Sequence, residues 1–410
     1  MTEKGKSGFE ELAKGASTSL YPQEALLKIK EKNNNLFIGI PKEIALQENR
    51  VPLTPSAVAL LVNNGHNIWL ETGAGIASNF SDHDYSEAGA QIVYSHREAF
   101  QADIVLKVEP PTQEEMGFMK PGKMLLSAIQ FGNQTGEFIQ ALNQKKITAI
   151  GFELIEDKVG GMPVVRAMSE IAGSTVMFIA AEYLSSVHNG KGIVLGDVTG
   201  VPHTKVVIIG AGTVAEYAAR TALSLGVDIQ IFDNQVYKLR RLKHALGQQV
   251  YTSTLDPITL SKNLNRADVV IGAKRWEKGR DRFIITEEMV TQMKPGSVII
   301  DVSIDQGGCI ETSELTTHDK PVFRKYGIIH YCVPNIPSRV ARTATMAFSN
   351  ILAPILLEAG DEGGIQEMIF RNKWFMKGVY TYKGSLTNAT LGSKFNMKHK
   401  DLNLLLAARM

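Results

Sequence analysis

The stretch that decides the fold is Lys205-Val206-Val207-Ile208-Ile209-Gly210-Ala211-Gly212-Thr213-Val214-Ala215. An apolar, β-branched run gives way to a glycine turn and then to a helix-like segment, residues 215–225. A second apolar run, residues 227–232, follows and ends on Asp233. Strand, tight turn, helix, strand and acid is the order of a dinucleotide-binding βαβ unit. Gly210 permits the turn, Gly212 lets main-chain amides approach a pyrophosphate, and Ala215 is the small residue needed where helix meets strand. The helix N-terminus offers the positive end of its dipole to the phosphates. Asp233 is placed to accept the hydroxyls of an adenosine ribose and, with Asn234 beside it, predicts NAD rather than NADP. The candidate cofactor positions in this unit are therefore Gly210, Gly212, Thr213, Val214 and Asp233.

At 410 residues the chain is long for a single core, so two domains are expected. Its 44% apolar and 21% charged residues are ordinary for a globular protein. A net charge of +2 argues against nucleic acid or an acidic membrane as partner. Cys309 and Cys332 make neither a disulfide framework nor a metal spacing, which points to a reducing compartment. The nine histidines show no metal-site spacing, so no metal is expected. Residues 1–35 are polar and lack a signal-peptide core. The longest apolar helix candidate, residues 171–184, is interrupted by Glu182 and reads as too short for a bilayer. A cytoplasmic protein is expected.

The surrounding chain alternates strand and helix. Residues 36–40, 67–71, 92–94, 104–108 and 124–128 read as strands, and 131–144 as a helix. Residues 54–64 read as a helix opened by Thr54 with Pro55 at its first position. A long helix over 169–186 leads into the fingerprint, and strands at 269–273, 297–301 and 328–332 follow it. A second long helix runs over about 341–358. This pattern predicts an α/β fold of two Rossmann-like domains with parallel sheets, joined by two long helices around a ligand cleft. The expected division is an extension at 1–35, containing a short helix at 21–32, then a discontinuous substrate domain at 36–163 plus 342–410. The nucleotide-binding domain takes 164–341.

Charged residues at strand ends are the candidates for chemistry. Arg50, in the loop after the first strand, has a planar fork suited to a substrate carboxylate. Lys107 ends a strand at the edge where α/β proteins bind ligands, and its ammonium suits a carbonyl or carboxylate. Asp305 is delivered by a strand into the turn Gln306-Gly307-Gly308, where a carboxylate can orient an ammonium or move a proton. Cys309 reads as a small buried residue.

The chain resembles the alanine dehydrogenase family, which is related to the nucleotide-binding subunit of transhydrogenase. The resemblance is carried by Gly39–Glu43, Arg50–Pro55, Gly73–Gly75, Leu106–Val108, Met168–Gly173, Gly210–Thr213, Met293–Gly296, Ile304–Cys309 and Tyr331–Val333. It implies reversible oxidation of L-alanine to pyruvate and ammonia with NAD, in a homo-oligomer that is usually a hexamer. It places the substrate arginine on Arg50, the substrate lysine on Lys107 and the catalytic aspartate on Asp305. Cofactor contacts fall on Ser169, Gly212, Asp233 and Asn335.

Two departures stand out. The family's catalytic histidine falls on Gln130, which hydrogen-bonds but does not carry a proton at neutral pH. The nearest histidines in sequence, His96 and His188, are not expected to replace it. The loop 274–282 is basic and carries Trp276, where the family has an apolar, proline-containing loop. The sequence thus predicts an NAD-dependent amino-acid dehydrogenase acting on an amino acid and its 2-keto acid. The alternatives are a related opine-type or reductive-amination dehydrogenase and a non-catalytic NAD(H)-binding regulator.

Overall fold

Short β-branched runs, most of them closed by a polar or glycine residue, build two separate sheets. A computed structural model describes residues 35–45, 47–130, 134–275 and 283–407. Residues 1–34 of the expected extension, with the helix at 21–32, and residues 276–282 of the basic loop lie outside the described residues.

The strands in chain order are β1 (Phe37–Ile40), β2 (Asn67–Glu71), β3 (Gln91–Val93), β4 (Ile104–Leu106), β5 (Met124–Ser127) and β6 (Thr148–Gly151). There follow β7 (Lys205–Ile209), β8 (Asp228–Phe232), β9 (Tyr251–Ser253), β10 (Val269–Gly272), β11 (Val298–Asp301), β12 (Val322–Lys325) and β13 (Ile328–Tyr331). The last two are β14 (Val379–Tyr382) and β15 (Ser385–Leu386). The first sheet has the order β15-β14-β6-β5-β4-β1-β2-β3 and the second β12-β13-β11-β10-β7-β8-β9. Pairing from β1 to β6 is parallel, as it is from β7 to β11 and onto β13. β12 pairs antiparallel with β13, and β14 pairs antiparallel with both β6 and the edge strand β15. The fold is thus α/β, with two largely parallel sheets, and β14–β15 return the chain's late segment to the first sheet.

Four helices matter for the site: α1 (Pro55–Asn63), α2 (Pro163–Leu184), α3 (Thr213–Ser224) and α4 (Ala341–Asp361). Thr54 caps α1, its side chain accepting from the Ala57 amide at 3.3 Å. Pro55 then occupies the first position, where no amide hydrogen is needed. α2 begins six residues before the expected start, at Pro163, and spans 22 residues. This corrects the length reading: α2 and the segment Ile336–Asp361 are long and apolar enough to cross a membrane by length and composition. About half of each is buried within the fold, 44% and 50% respectively, because each packs against protein on more than one side. Gly173 explains one of these contacts, since a Cβ there would lie 2.4 Å from the Val214 carbonyl of α3.

Ile38, Leu106, Ile150, Phe348 and Leu352 share the first core, and Val206, Ile208, Ala218, Ile271 and Ile300 the second. Burying apolar area at about 25 cal/mol per Å² supplies the driving force that holds each sheet to its helices.

Candidate functional site

Strand order locates the site before any side chain does. In the first sheet β1 lies between β2 and β4, so successive connections leave it in opposite directions. The second sheet does the same at β7, between β8 and β10. Ligands of open α/β sheets bind at such switch points, beyond the carboxyl ends of the strands. The loop after β1 carries Arg50, the chain leaving β4 carries Glu109, and the turn after β7 is the glycine fingerprint.

Arg50 is buried, and its fork is largely occupied. Its Nε donates to Glu48 Oε1 at 2.7 Å, its Nη2 pairs with Glu48 Oε2, and Glu109 Oε1 lies 3.5 Å from Nη2. The Nη1 edge faces Met168 Sδ at 3.4 Å, and the guanidinium sits 5.3 Å from the Phe348 ring centroid. The loop is clamped to the second sheet's side of the cleft. Asn49 donates its amide to Ser338 Oγ at 2.8 Å, and Gln47 Oε1 accepts the His318 amide at 2.7 Å. Asn335 reaches across to donate to Glu48 Oε2 at 3.0 Å.

Gln130 closes this cluster. Its Nε2 donates to Glu109 Oε2 at 2.8 Å. Its backbone is left-handed, with φ of 50°, a conformation that costs a non-glycine residue about 1–2 kcal/mol. Glu153 holds the strained loop by accepting the amides of Ile129 and Gln130 at 3.2 and 2.8 Å and the Tyr380 hydroxyl at 2.8 Å. Arg50, Gln130 and Asn335 are therefore brought together, joined by Glu48 and Glu109. The sequence reading had passed over both acids.

The cluster is rich in acid. Burial, then the negative charge of Glu48, pushes the Glu109 carboxyl up to about 8 against the pull of Arg50. Burial likewise raises Glu43 to about 7, with Lys107 opposing. Burial also acts on Glu48, but the Arg50 charge and hydrogen bonds outweigh it and hold that carboxyl below the ordinary value.

Lys107, expected as a substrate lysine, lies beside this cluster and meets it through Glu43. The strand ends at Leu106 rather than at residue 108, and the fully buried Lys107 side chain turns into the protein. Its Nζ donates to Glu115 Oε1 at 2.6 Å and lies 3.2 Å from Glu43 Oε2. Glu115 also meets His96 Nε2 at 3.1 Å, and His96 Nδ1 lies 2.6 Å from Glu71 Oε2. The two carboxylates keep the buried ammonium charged, against the cost of its burial.

Hydrogen bonds from His96 to Glu115 and then Glu71 raise this histidine from 6.5 to about 9. A raised folded value stabilises the protein fully below pH 6.5, and the contribution is lost as pH climbs through 9. Thermal unfolding followed from pH 6 to 10 is expected to show the melting temperature falling across that window by about 2–4 °C for each kcal/mol lost. In His96→Gln the fall flattens. A parallel fall in wild type and variant contradicts the assignment.

On the second sheet, Gly210 has φ of 108°, and a Cβ there would lie 2.5 Å from the Ala273 carbonyl. A Cβ on Gly212 would instead point into open space. α3 starts at Thr213 with Gly212 as its cap and no side chain satisfying its first amides. Open space over uncapped amides fits a dinucleotide's diphosphate. Thr213 and Val214 form the helix's first turn. Ser169 follows Met168 on α2, next in the chain to the residue that touches Arg50.

Asp233 directly follows β8, as expected. It is buried, and its carboxylate accepts from the Ala211 amide at 2.9 Å, the Gln235 amide at 2.9 Å and Lys274 Nζ at 3.2 Å. These bonds brace the glycine turn and tie it to a lysine. The Lys274 charge offsets the carboxylate's repulsion of a 2′-phosphate.

Asp305 stands in a single 3-10 turn, Ile304–Gln306, beyond β11. Its carboxyl is solvent-accessible but walled in, and the lost hydration raises it while Arg275 pulls it down. Buried Asp301 holds this turn, accepting from the Ser303 amide and hydroxyl at 3.1 and 2.7 Å and from the Cys309 amide at 3.1 Å. Gly308 is required there, because a Cβ would lie 2.8 Å from Asp301 Oδ2. Cys309 is buried, and burial raises its thiol, which leaves it a poor nucleophile.

Comparison with known proteins gives concordant matches. The model "Alanine dehydrogenase/PNT, N-terminal domain" matches residues 39–172, and "Alanine dehydrogenase/PNT, C-terminal domain" matches residues 176–389. Alanine dehydrogenase 2 of Staphylococcus aureus strains USA300 and Mu50 is 40% identical over 366 residues, covering 89% of this chain and 98% of the relative. A solved L-alanine dehydrogenase superposes with a TM-score of 0.82 at 36% identity, covering 88% of this chain and 99% of that one. A transhydrogenase from Sinorhizobium meliloti gives 0.73 at 24% identity, covering 86% and 99%, a likeness of fold.

Proposed function

The chain belongs to the alanine dehydrogenase/PNT family, and from that premise we propose that it interconverts L-alanine, or a close analogue, with pyruvate and ammonia. It is an NAD-dependent oxidoreductase acting on a CH–NH2 donor. Gly210, Gly212, Thr213 and Val214 would hold the NAD diphosphate, with Ser169 and Asn335 on the facing wall. When bound, NAD supplies a hydride acceptor at the nicotinamide ring. Asp233 would accept a ribose hydroxyl with the acceptor capacity that its three protein donors leave.

The observation that carries this reading is Arg50, buried at the switch point of the first sheet and held by Glu48, which Asn335 bonds from the second. Its Nη1 edge would take the substrate carboxylate, Gln130 would position the keto oxygen, and Asp305 would attend the amine. Gln130 stands where the family's histidine is expected. Lys107, occupied by Glu43 and Glu115, takes no part. A cytoplasmic homo-oligomer completes the proposal.

The test follows NADH consumption with ammonium and a panel of short 2-keto acids. Oxidation that depends on both partners, with pyruvate among the best, is expected. NADH binding without oxidation by any keto acid overturns the reading. A second reading, a reductive-amination enzyme with a larger amine, is favoured by the acids Glu48 and Glu109 beside Arg50, whose oxygens can accept hydrogen bonds from an amine. It predicts that primary amines replace ammonium with a higher kcat/KM.

A further inference from the structure

We propose that Glu109 is the proton-transfer group of this cleft, held in place by Gln130, and that it does the work assigned elsewhere in the family to a histidine. The inference rests on the dehydrogenase reading and names its acid–base residue.

Geometry singles out Glu109. It leaves β4 at the switch point, is buried, and has one oxygen on Gln130 Nε2 at 2.8 Å and the other 3.5 Å from Arg50 Nη2. Gln130 itself carries no proton, and Lys107 is enclosed by two carboxylates. Glu48 is fixed as the partner of Arg50, and Glu153 is fixed under the Gln130 loop. Glu109 is the acid in contact with both Arg50 and Gln130 that has neither of those duties.

The charged groups around it are Glu43, Glu48 and Arg50 from the loop after β1, Lys107 on its own segment and Glu153 beyond β6. Burial and the neighbouring acids place its titration at about 8, close to the range where a carboxyl can both take and return a proton.

In the oxidative direction the substrate ammonium gives one proton to solvent, and the hydride leaves Cα with its bonding pair for the cofactor. The resulting iminium carbon is attacked by water, whose proton passes to the Glu109 carboxylate. Glu109 returns that proton to nitrogen, and the C–N bond breaks with its electron pair on ammonia. The remaining hydroxyl proton then goes to Glu109 as the keto group forms, and Glu109 releases it to the ammonia or to solvent, which restores the carboxylate. Oxidation needs Glu109 ionised, so its rate rises with pH through about 8. Amination needs it protonated and falls over the same range.

Glu109→Gln keeps the shape and the hydrogen bond to a neighbouring amide while removing the titration. The expected result is a loss in oxidative kcat of about 10²–10⁴-fold and disappearance of the limb near 8, with Glu109→Asp restoring part of both. A readout independent of turnover is the infrared titration of protonated carboxyls, in which the component near 8 is expected in wild type and lost in Glu109→Gln, while that of Glu43 near 7 remains. Thermal melting confirms that the variant is folded, and Glu109→Asp serves if it is not. Wild type active with Glu109→Gln equally fast and equally pH-dependent overturns the proposal, as does an infrared titration unchanged by the substitution. A wild-type protein inert on every keto acid defeats the dehydrogenase reading itself.

Discussion

Arg50→Ala is expected to abolish most activity and to destabilise the first domain at the same time. The guanidinium is the cation touching both Glu48 and Glu109, and Glu48 uses two of its nitrogens. Removing one partner of a buried pair strands the other, at about 3–5 kcal/mol. The loss of a charged substrate contact of about 2–5 kcal/mol corresponds to roughly 30–4,000-fold in kcat/KM at 1.4 kcal/mol per tenfold. Arg50→Lys separates the two effects. It keeps a charge near Glu48 but loses the planar fork, so stability recovers further than activity. Calorimetric melting and steady-state kinetics on both variants check this. Full activity in Arg50→Ala removes the arginine from the site.

The second large effect belongs to the glycine turn, where two glycines are required for different reasons. Gly210→Val faces a left-handed backbone and a carbonyl 2.5 Å away. Conformational strain of about 1–2 kcal/mol adds to an overpacking cost of about 1–3 kcal/mol. Stability and NADH binding fall together. Gly212→Val places its side chain in the open space beside the first amides of α3, so the fold is retained and cofactor binding alone is lost. Melting and NADH fluorescence titration distinguish the two. Equal stability of both variants, or NADH binding by Gly212→Val as tight as wild type, contradicts the proposed phosphate seat.

Those contrasts show which parts of the protein were legible from its sequence. The turn after β7 was legible because it is local: strand, glycine spacing and helix all lie within a few residues. Arg50 was legible from its place after the first strand, Gln130 and Asn335 through resemblance, and the structure joins them through Glu48 and Glu109. Glu109 was not, since an acid before Pro110-Pro111 has the look of a solvated loop. Its burial arises only when the segments after β1, β4 and β5 converge. The partners of Lys107 were hidden for the mirror-image reason. A lysine at a strand end suggests an exposed ligand group, but Glu43 and Glu115 come from elsewhere in the chain to enclose it. Asp233 lies at the expected position, yet Lys274, 41 residues away, decides what its carboxylate meets. β14 was missed because a four-residue run following helices has no local mark of the distant β6 it pairs with.

The measurement that bears most directly on the central claim uses NADH carrying deuterium at the nicotinamide C4, with ammonium and pyruvate, and weighs the product. The account predicts alanine bearing one deuterium at Cα, formed faster below pH 8 than above it. Bound NADH that delivers no deuterium to any amino acid, across the panel of keto acids, would contradict it.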